Sequence, residues 1–258
     1  MMKRISLLLL IFLTIANNLI AQKASDPKQV LHDFRTGSAP NPPKITAAVQ
    51  KSVISKLFRK YLSDDSKCNP NFSGNGTDDF LKAARDAGQV APTIIDSTTG
   101  SFTAAGQTQT VYVIAVNECG ASHADNYGSK RVAIMAGPQL LTNVDSDFKS
   151  SIVRKIDLDG DGIDEVLMTS GDMSQGTLTE MAALLSFQNG KMKVIEDFGT
   201  VTLDSCASGF PNSSAKASVI SYSGVFQGTI PKLKMDNYES TCRNTKRWKF
   251  ISTGKMPE

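Results

Sequence analysis

The chain has 258 residues with 28 basic and 25 acidic side chains, a formal net charge of +3 and 40% hydrophobic residues. That balance gives neither a basic footprint for nucleic acid nor an acidic disordered tail, and it excludes collagen, coiled coil and bulk disorder. The length suffices for one large domain or two small ones with a genuine core.

Lys3 and Arg4 precede an apolar run from Leu7 to Leu13, extended by Ile15 and Ala16 and followed by Leu19, Ile20 and Ala21. A basic start, an apolar stretch and small residues before Gln22 form the pattern of a secretory signal peptide over residues 1–21. Asn17 and Asn18 interrupt the run short of the ~20 apolar residues that a bilayer span needs. The expectation is an exported chain, periplasmic or extracellular and bacterial in character, with no membrane span after cleavage. Loss of Lys3 and Arg4 brings the charge close to neutral, which argues further against nucleic acid as a partner.

Four cysteines follow: Cys68, Cys119, Cys206 and Cys242. An even set in an exported protein points to two disulfides. Of the three pairings, sequence neighbours favour Cys68 with Cys119 and Cys206 with Cys242, each stabilising by roughly 4 kcal/mol through loop closure.

Residues 22–43 hold Pro27, Pro40, Pro42 and Pro43 and read as a loose polar lead-in with one short helix around Val30 to Phe34. Residues 44–90 form a helical segment. Ile45, Val49, Val53, Leu57 and Tyr61 recur at four-residue spacing, widened by Ala48, Ile54, Phe58 and Leu62, which predicts an amphipathic helix with Lys44, Lys51, Arg59 and Lys60 on its solvated side. A second helix is capped by Thr77, stopped by Gly88 and faces the core with Phe80, Leu81, Ala84 and Ala87. Asn71, Asn75 and Asn212 begin glycan acceptor patterns that carry no meaning in a bacterial host.

Residues 91–258 change texture to β-branched runs punctuated by Gly, Pro, Asn and Asp, the mark of antiparallel strands and turns. Strands are predicted at 93–96, 110–117, 131–136, 152–157, 165–169, 179–187, 191–198, 217–222, 233–238 and 247–252. Asn189-Gly190 is a type I′ turn signal, because both central residues of that turn need positive φ; Gly137-Pro138 does similar service. The fold class is α+β, with N-terminal helices packed on a mainly antiparallel β region.

Residues 157–165 read Asp-Leu-Asp-Gly-Asp-Gly-Ile-Asp-Glu. Calcium takes six to eight hard oxygens, and alternating carboxylates on a coiled loop supply them from one side of the backbone. Asp157, Asp159 and Asp161 stand at positions one, three and five, the Ile163 carbonyl at seven and Glu165 at nine, while Gly162 allows the sharp turn at six. Asp164 points away. An EF-hand would place a bidentate glutamate at position twelve, where this chain has Met168 inside an apolar stretch.

The segment from Ile152 to about Thr169 resembles the calcium loop of FG-GAP or VCBS-type repeats. The resemblance implies an acidic loop joining strands, with Asp157, Asp159, Asp161 and Glu165 holding a structural Ca2+. A single copy implies an incomplete propeller-like or a sandwich-like β region, since a closed propeller repeats its blades.

The polar stretch from Glu118 to Arg131 joins two predicted strands and carries Glu118, Ser122, His123 and Asp125, the residue types of acid-base and nucleophilic chemistry. Ser122 has no Gly-x-Ser-x-Gly elbow, and true triads assemble from distant parts of a chain. No catalytic residue is assigned; Glu118, His123 and Asp125 are the candidates for a hydrolase of envelope polymers. Recognition through Ser122, Tyr127, Lys130 and Arg131 ranks above catalysis for this loop, and plain scaffolding, stapled by a disulfide at Cys119, ranks above both. His32 lacks metal-ligand neighbours and reads as a surface histidine, and Trp248 with Phe250 reads as one core-facing side of a strand. The functional expectation is a calcium-stabilised, disulfide-tied module that binds a protein or carbohydrate at the cell envelope; the alternatives are the hydrolase and a purely structural domain.

Overall fold

A computed structural model describes residues 28–37, 45–58, 93–115, 130–146, 150–224, 228–243 and 247–257. Among the described residues one α-helix, α1 (Ala47–Phe58), stands among strands β1 (Gln29–Asp33), β2 (Thr93–Gly100), β3 (Gln109–Ala115), β4 (Lys130–Ala136), β5 (Gln139–Asp145) and β6 (Ser151–Ile156). Six more follow: β7 (Glu165–Ser174), β8 (Thr177–Ser186), β9 (Lys193–Asp204), β10 (Ser214–Tyr222), β11 (Leu233–Thr241) and β12 (Lys249–Thr253). The second expected helix lies outside the described residues, and among those residues no helix is long and apolar enough to cross a membrane.

The strands form two open antiparallel sheets. One runs β2-β3-β4-β5; the other runs β12-β11-β10-β9-β8-β7-β6, with β1 added to β10. β10 shares one edge between two partners, pairing Ala215 to Ala217 with β9 and Val219 to Tyr222 with β1. The large sheet therefore curls without closing: β1 and β6 are not paired as strands, and Arg154 of β6 reaches across, its Nη1 donating to the carbonyls of Val30 at 3.1 Å and Leu31 at 2.8 Å.

Burial on both faces explains the continuous apolar runs of β7 and β8. Leu167, Ala182 and Leu184 face a core inside the curl, together with Leu31, Phe34, Ala217 and Ile220. Val166, Met168, Ala183 and Leu185 face the opposite way, against Phe102, Val111, Val113, Val132 and Ile134 of the smaller sheet. That sheet in turn places Ile94, Ile114 and Ala133 against Val53, Ile54 and Leu57 of α1. Core, sheet, core, sheet, core and helix follow one another as layers.

The structure departs from the sequence-based expectations at four places. Residues 29–33 are a strand within the supposed lead-in, not a helix; Leu31 fills the curl, and the chain turns at Phe34 only through a single 3-10 turn. β5 was not anticipated, because Gln139–Asp145 has a largely exposed, polar face. His32 is half-buried and not a free surface residue: its Nε2 is buried without a hydrogen-bond partner and its ring packs edge-on against Phe34. Trp248 does pack against the curl, but Phe250 is 58% exposed. The turn at Asn189 and Gly190 has φ of 57° and 72°, as the type I′ reading requires.

Candidate metal centre

The acidic loop is the connection of the β6–β7 hairpin, whose last pairs are Lys155 with Val166 and Ile156 with Glu165. Two apolar residues anchor it: Leu158 and Ile163 are buried, Leu158 in the core of the curl. Between them the backbone coils tightly, with Gly160 at φ 75° and Gly162 at φ 83°. At Gly162 even a methyl group would meet the Ala105 Cβ at 3.0 Å.

The carboxylates bind backbone amides of their own loop. Asp157 accepts from the N–H groups of Gly160 (2.7 Å) and Gly162 (2.9 Å), and Asp159 from that of Asp161 (3.2 Å). Glu165 accepts from the Leu158 N–H at 2.9 Å. These bonds face the side chains inward, and ligand oxygens of Asp157, Asp159 and Glu165 all lie within 4.8 Å of one another. Oxygens each 2.3–2.6 Å from a calcium ion are separated by such distances.

Asp161 stands apart from that group of three. Its Oδ1 accepts from the Ile163 N–H at 2.7 Å and its Oδ2 from Gln188 Nε2 at 3.4 Å. Asp164 points away: it accepts from the Ser101 N–H at 2.8 Å, returns its own N–H to the Ser101 carbonyl at 2.6 Å, and lies 3.6 Å from the Lys155 ammonium. These bonds tie the loop to the end of β2, where Gly100 leaves the room: a Cβ there would come within 2.3 Å of the Asp164 carboxylate. On the other side Gly228 donates its N–H to the Asp159 carbonyl at 2.7 Å. Neither Gly100 nor Gly228 was identifiable beforehand, because each meets the loop from a remote part of the chain.

Electrostatically the site has surplus negative charge. Burial pushes the Glu165 carboxyl up to about 7, and the charges of Asp159, Asp161 and Asp157 add to that, against the opposing hydrogen bond from Leu158. Burial also raises Asp159, with Asp161 and Asp157 contributing. Three convergent carboxylates, one of them 4% exposed, could hold a metal ion, whose positive charge would relieve this repulsion.

Other expected site residues fall differently. Glu118, Ser122, His123, Asp125, Tyr127, Cys68 and Cys119 lie outside the described residues. Lys130 and Arg131 begin β4, where Arg131 reaches across to β5 and donates to the Asn143 side chain at 2.7 Å and its carbonyl at 3.2 Å. Cys206 and Cys242 form a disulfide with a Cα separation of 5.3 Å.

Fold and site together define a mainly antiparallel β protein with a disulfide and an acidic hairpin loop able to hold a metal ion. No family model matches the chain, no curated protein matches its sequence and no solved structure matches its fold.

Proposed function

We propose that the protein is an exported β-rich module in which one Ca2+ fixes the β6–β7 hairpin, and whose folded body binds a protein or carbohydrate ligand at the cell envelope. The observation that carries the calcium reading is the convergence of Asp157, Asp159 and Glu165 within 4.8 Å on a loop whose amides those carboxylates also bind. The buried position of Glu165 adds weight, since a carboxyl converging with those of Asp157 and Asp159 has a reason to be there when a cation joins them. The loop then acts as one FG-GAP or VCBS-type repeat set into a sandwich-like arrangement of two sheets. Export is supported by the basic and apolar start of the chain and by the Cys206–Cys242 bond, which belongs to an oxidising compartment.

The ion in this reading is structural. It joins the end of β6 to the start of β7, and through Asp164 and Gly228 the loop holds the end of β2 and the segment before β11. Melting with calcium and with chelator tests it. At a calcium concentration one hundredfold above Kd the gain is about 2.7 kcal/mol, or about 5 to 10 °C for a chain of this size. Asp159→Ala removes that response. Melting curves that coincide with and without chelator in the unaltered chain refute the calcium reading.

A further inference from the structure

The curl of the large sheet changes character along its length. β7 and β8 pair without a register shift, so Leu167, Thr169 and Gly171 of β7 and Leu184, Ala182 and Glu180 of β8 share the inner face, opposite one another in that order. At one end these positions belong to the apolar core; at the other they become a hydroxyl, a glycine and a carboxylate. A cavity of about 620 Å³ opens at that polar end, bounded also by His32, by the Asp96 to Thr98 stretch of β2 and by the length of β6.

Its walls are held in place before any ligand arrives. Asp96, 7% exposed, accepts from the N–H groups of Ser97 and Ile152, both at 2.7 Å, and so pins the edge of β2 to the edge of β6. Arg154 is fixed by the two β1 carbonyls. The charges are intermixed: Arg154 and Lys155 balance Asp96 and Glu180, and both Arg154 and Glu180 act on His32. Neither sign of formal charge predominates in such a wall. It does alternate donors and acceptors, adding the hydroxyls of Thr98, Ser151 and Thr169, and a sugar hydroxyl is both donor and acceptor.

We propose that this mouth is the ligand site of the module and that it takes a neutral carbohydrate of one or two rings. The proposal rests on the binding-module reading and gives it a location and a ligand class. Gly171 provides the means to close the site. Its φ is not in the positive range, and a Cβ there would meet only the Glu180 Cγ at 3.8 Å and the Thr179 carbonyl at 4.0 Å, so a larger residue fits the strand while filling the opening.

The test is titration of the isotope-labelled full chain, in calcium, with maltose, cellobiose and N,N′-diacetylchitobiose, and with glutamate and inorganic phosphate as charged probes, read by amide chemical shifts. The result expected is a saturable shift of Thr98, Ser151 and Gly171 amides with at least one disaccharide and none with the charged probes. Gly171→Val weakens that binding by about tenfold or more while melting and calcium response stay as they were. Thr169→Val, nearly identical in shape, weakens it several-fold and serves if the first variant folds poorly. Silence of these amides with all three sugars, or a response to glutamate or phosphate alone, overturns the proposal. Sugar binding that both variants leave intact overturns the location while the binding-module reading stands, and a calcium response that survives either failure leaves the metal reading standing.

Discussion

The two ends of the eight-stranded sheet solve the problem of a buried carboxyl in opposite ways. At the β11–β12 end, burial works against the charge of Asp236, but the Thr253 hydroxyl (2.7 Å) and the Lys234 and Lys28 ammoniums (both 2.9 Å) outweigh it and hold the carboxyl down at about 2. The same end is closed covalently by Cys206–Cys242. At the β6–β7 end, Glu165 is equally buried, yet its neighbours are carboxylates and its acidity falls until it titrates at about 7. One end is complete within the chain; the other asks for a positive charge from outside.

Breaking the complete end gives the largest expected effect. Replacement of Cys206 and Cys242 by serine opens a loop spanning a sequence separation of 36 and costs about 4 kcal/mol in denaturant unfolding, with the calcium response undiminished. If that response disappears as well, the two ends are not independent.

The calcium-free protein sharpens the contrast through pH. Glu165 has a folded value of about 7 against an ordinary 4.5, so the fold favours its protonated form. That advantage is intact below about 4.5 and is lost as pH rises to about 7, a change of about 3 kcal/mol. Melting in chelator therefore declines across this window, and calcium reverses the decline by favouring the ionised form. A chelator profile flat between pH 4.5 and 7 contradicts the assignment of Glu165.

The smallest effect is at Asp236, whose ammonium partners are half exposed and screened by water. Asp236→Asn costs roughly 1 to 2 kcal/mol at neutral pH and leaves calcium binding alone. Because the folded value is depressed, the contribution of Asp236 is present above 3.8 and is lost as pH falls toward 2, the opposite sense to Glu165. Denaturant unfolding of the variant and of the unaltered chain converges in acid if this is right.

Legibility in the sequence followed the range of the interactions. The β7 and β8 runs and the turn at Asn189 and Gly190 show themselves because local propensity and tertiary burial agree there. The acidic loop was readable for the same reason: its glycines and alternating aspartates act on amides two to five residues away. β1 was not, because its strand character comes from β10, almost 190 residues later, and from two carbonyls bound by Arg154. The exclusion of Asp161 from the converging carboxylates was also hidden, since its partners are the Ile163 amide and Gln188, and only the folded hairpin brings Gln188 near.

Equilibrium dialysis of the chelator-treated chain against radioactive calcium at neutral pH tests the central claim most directly. The account predicts one ion bound per chain, and none in Asp159→Ala. An unaltered chain that retains no calcium above the dialysis background contradicts it.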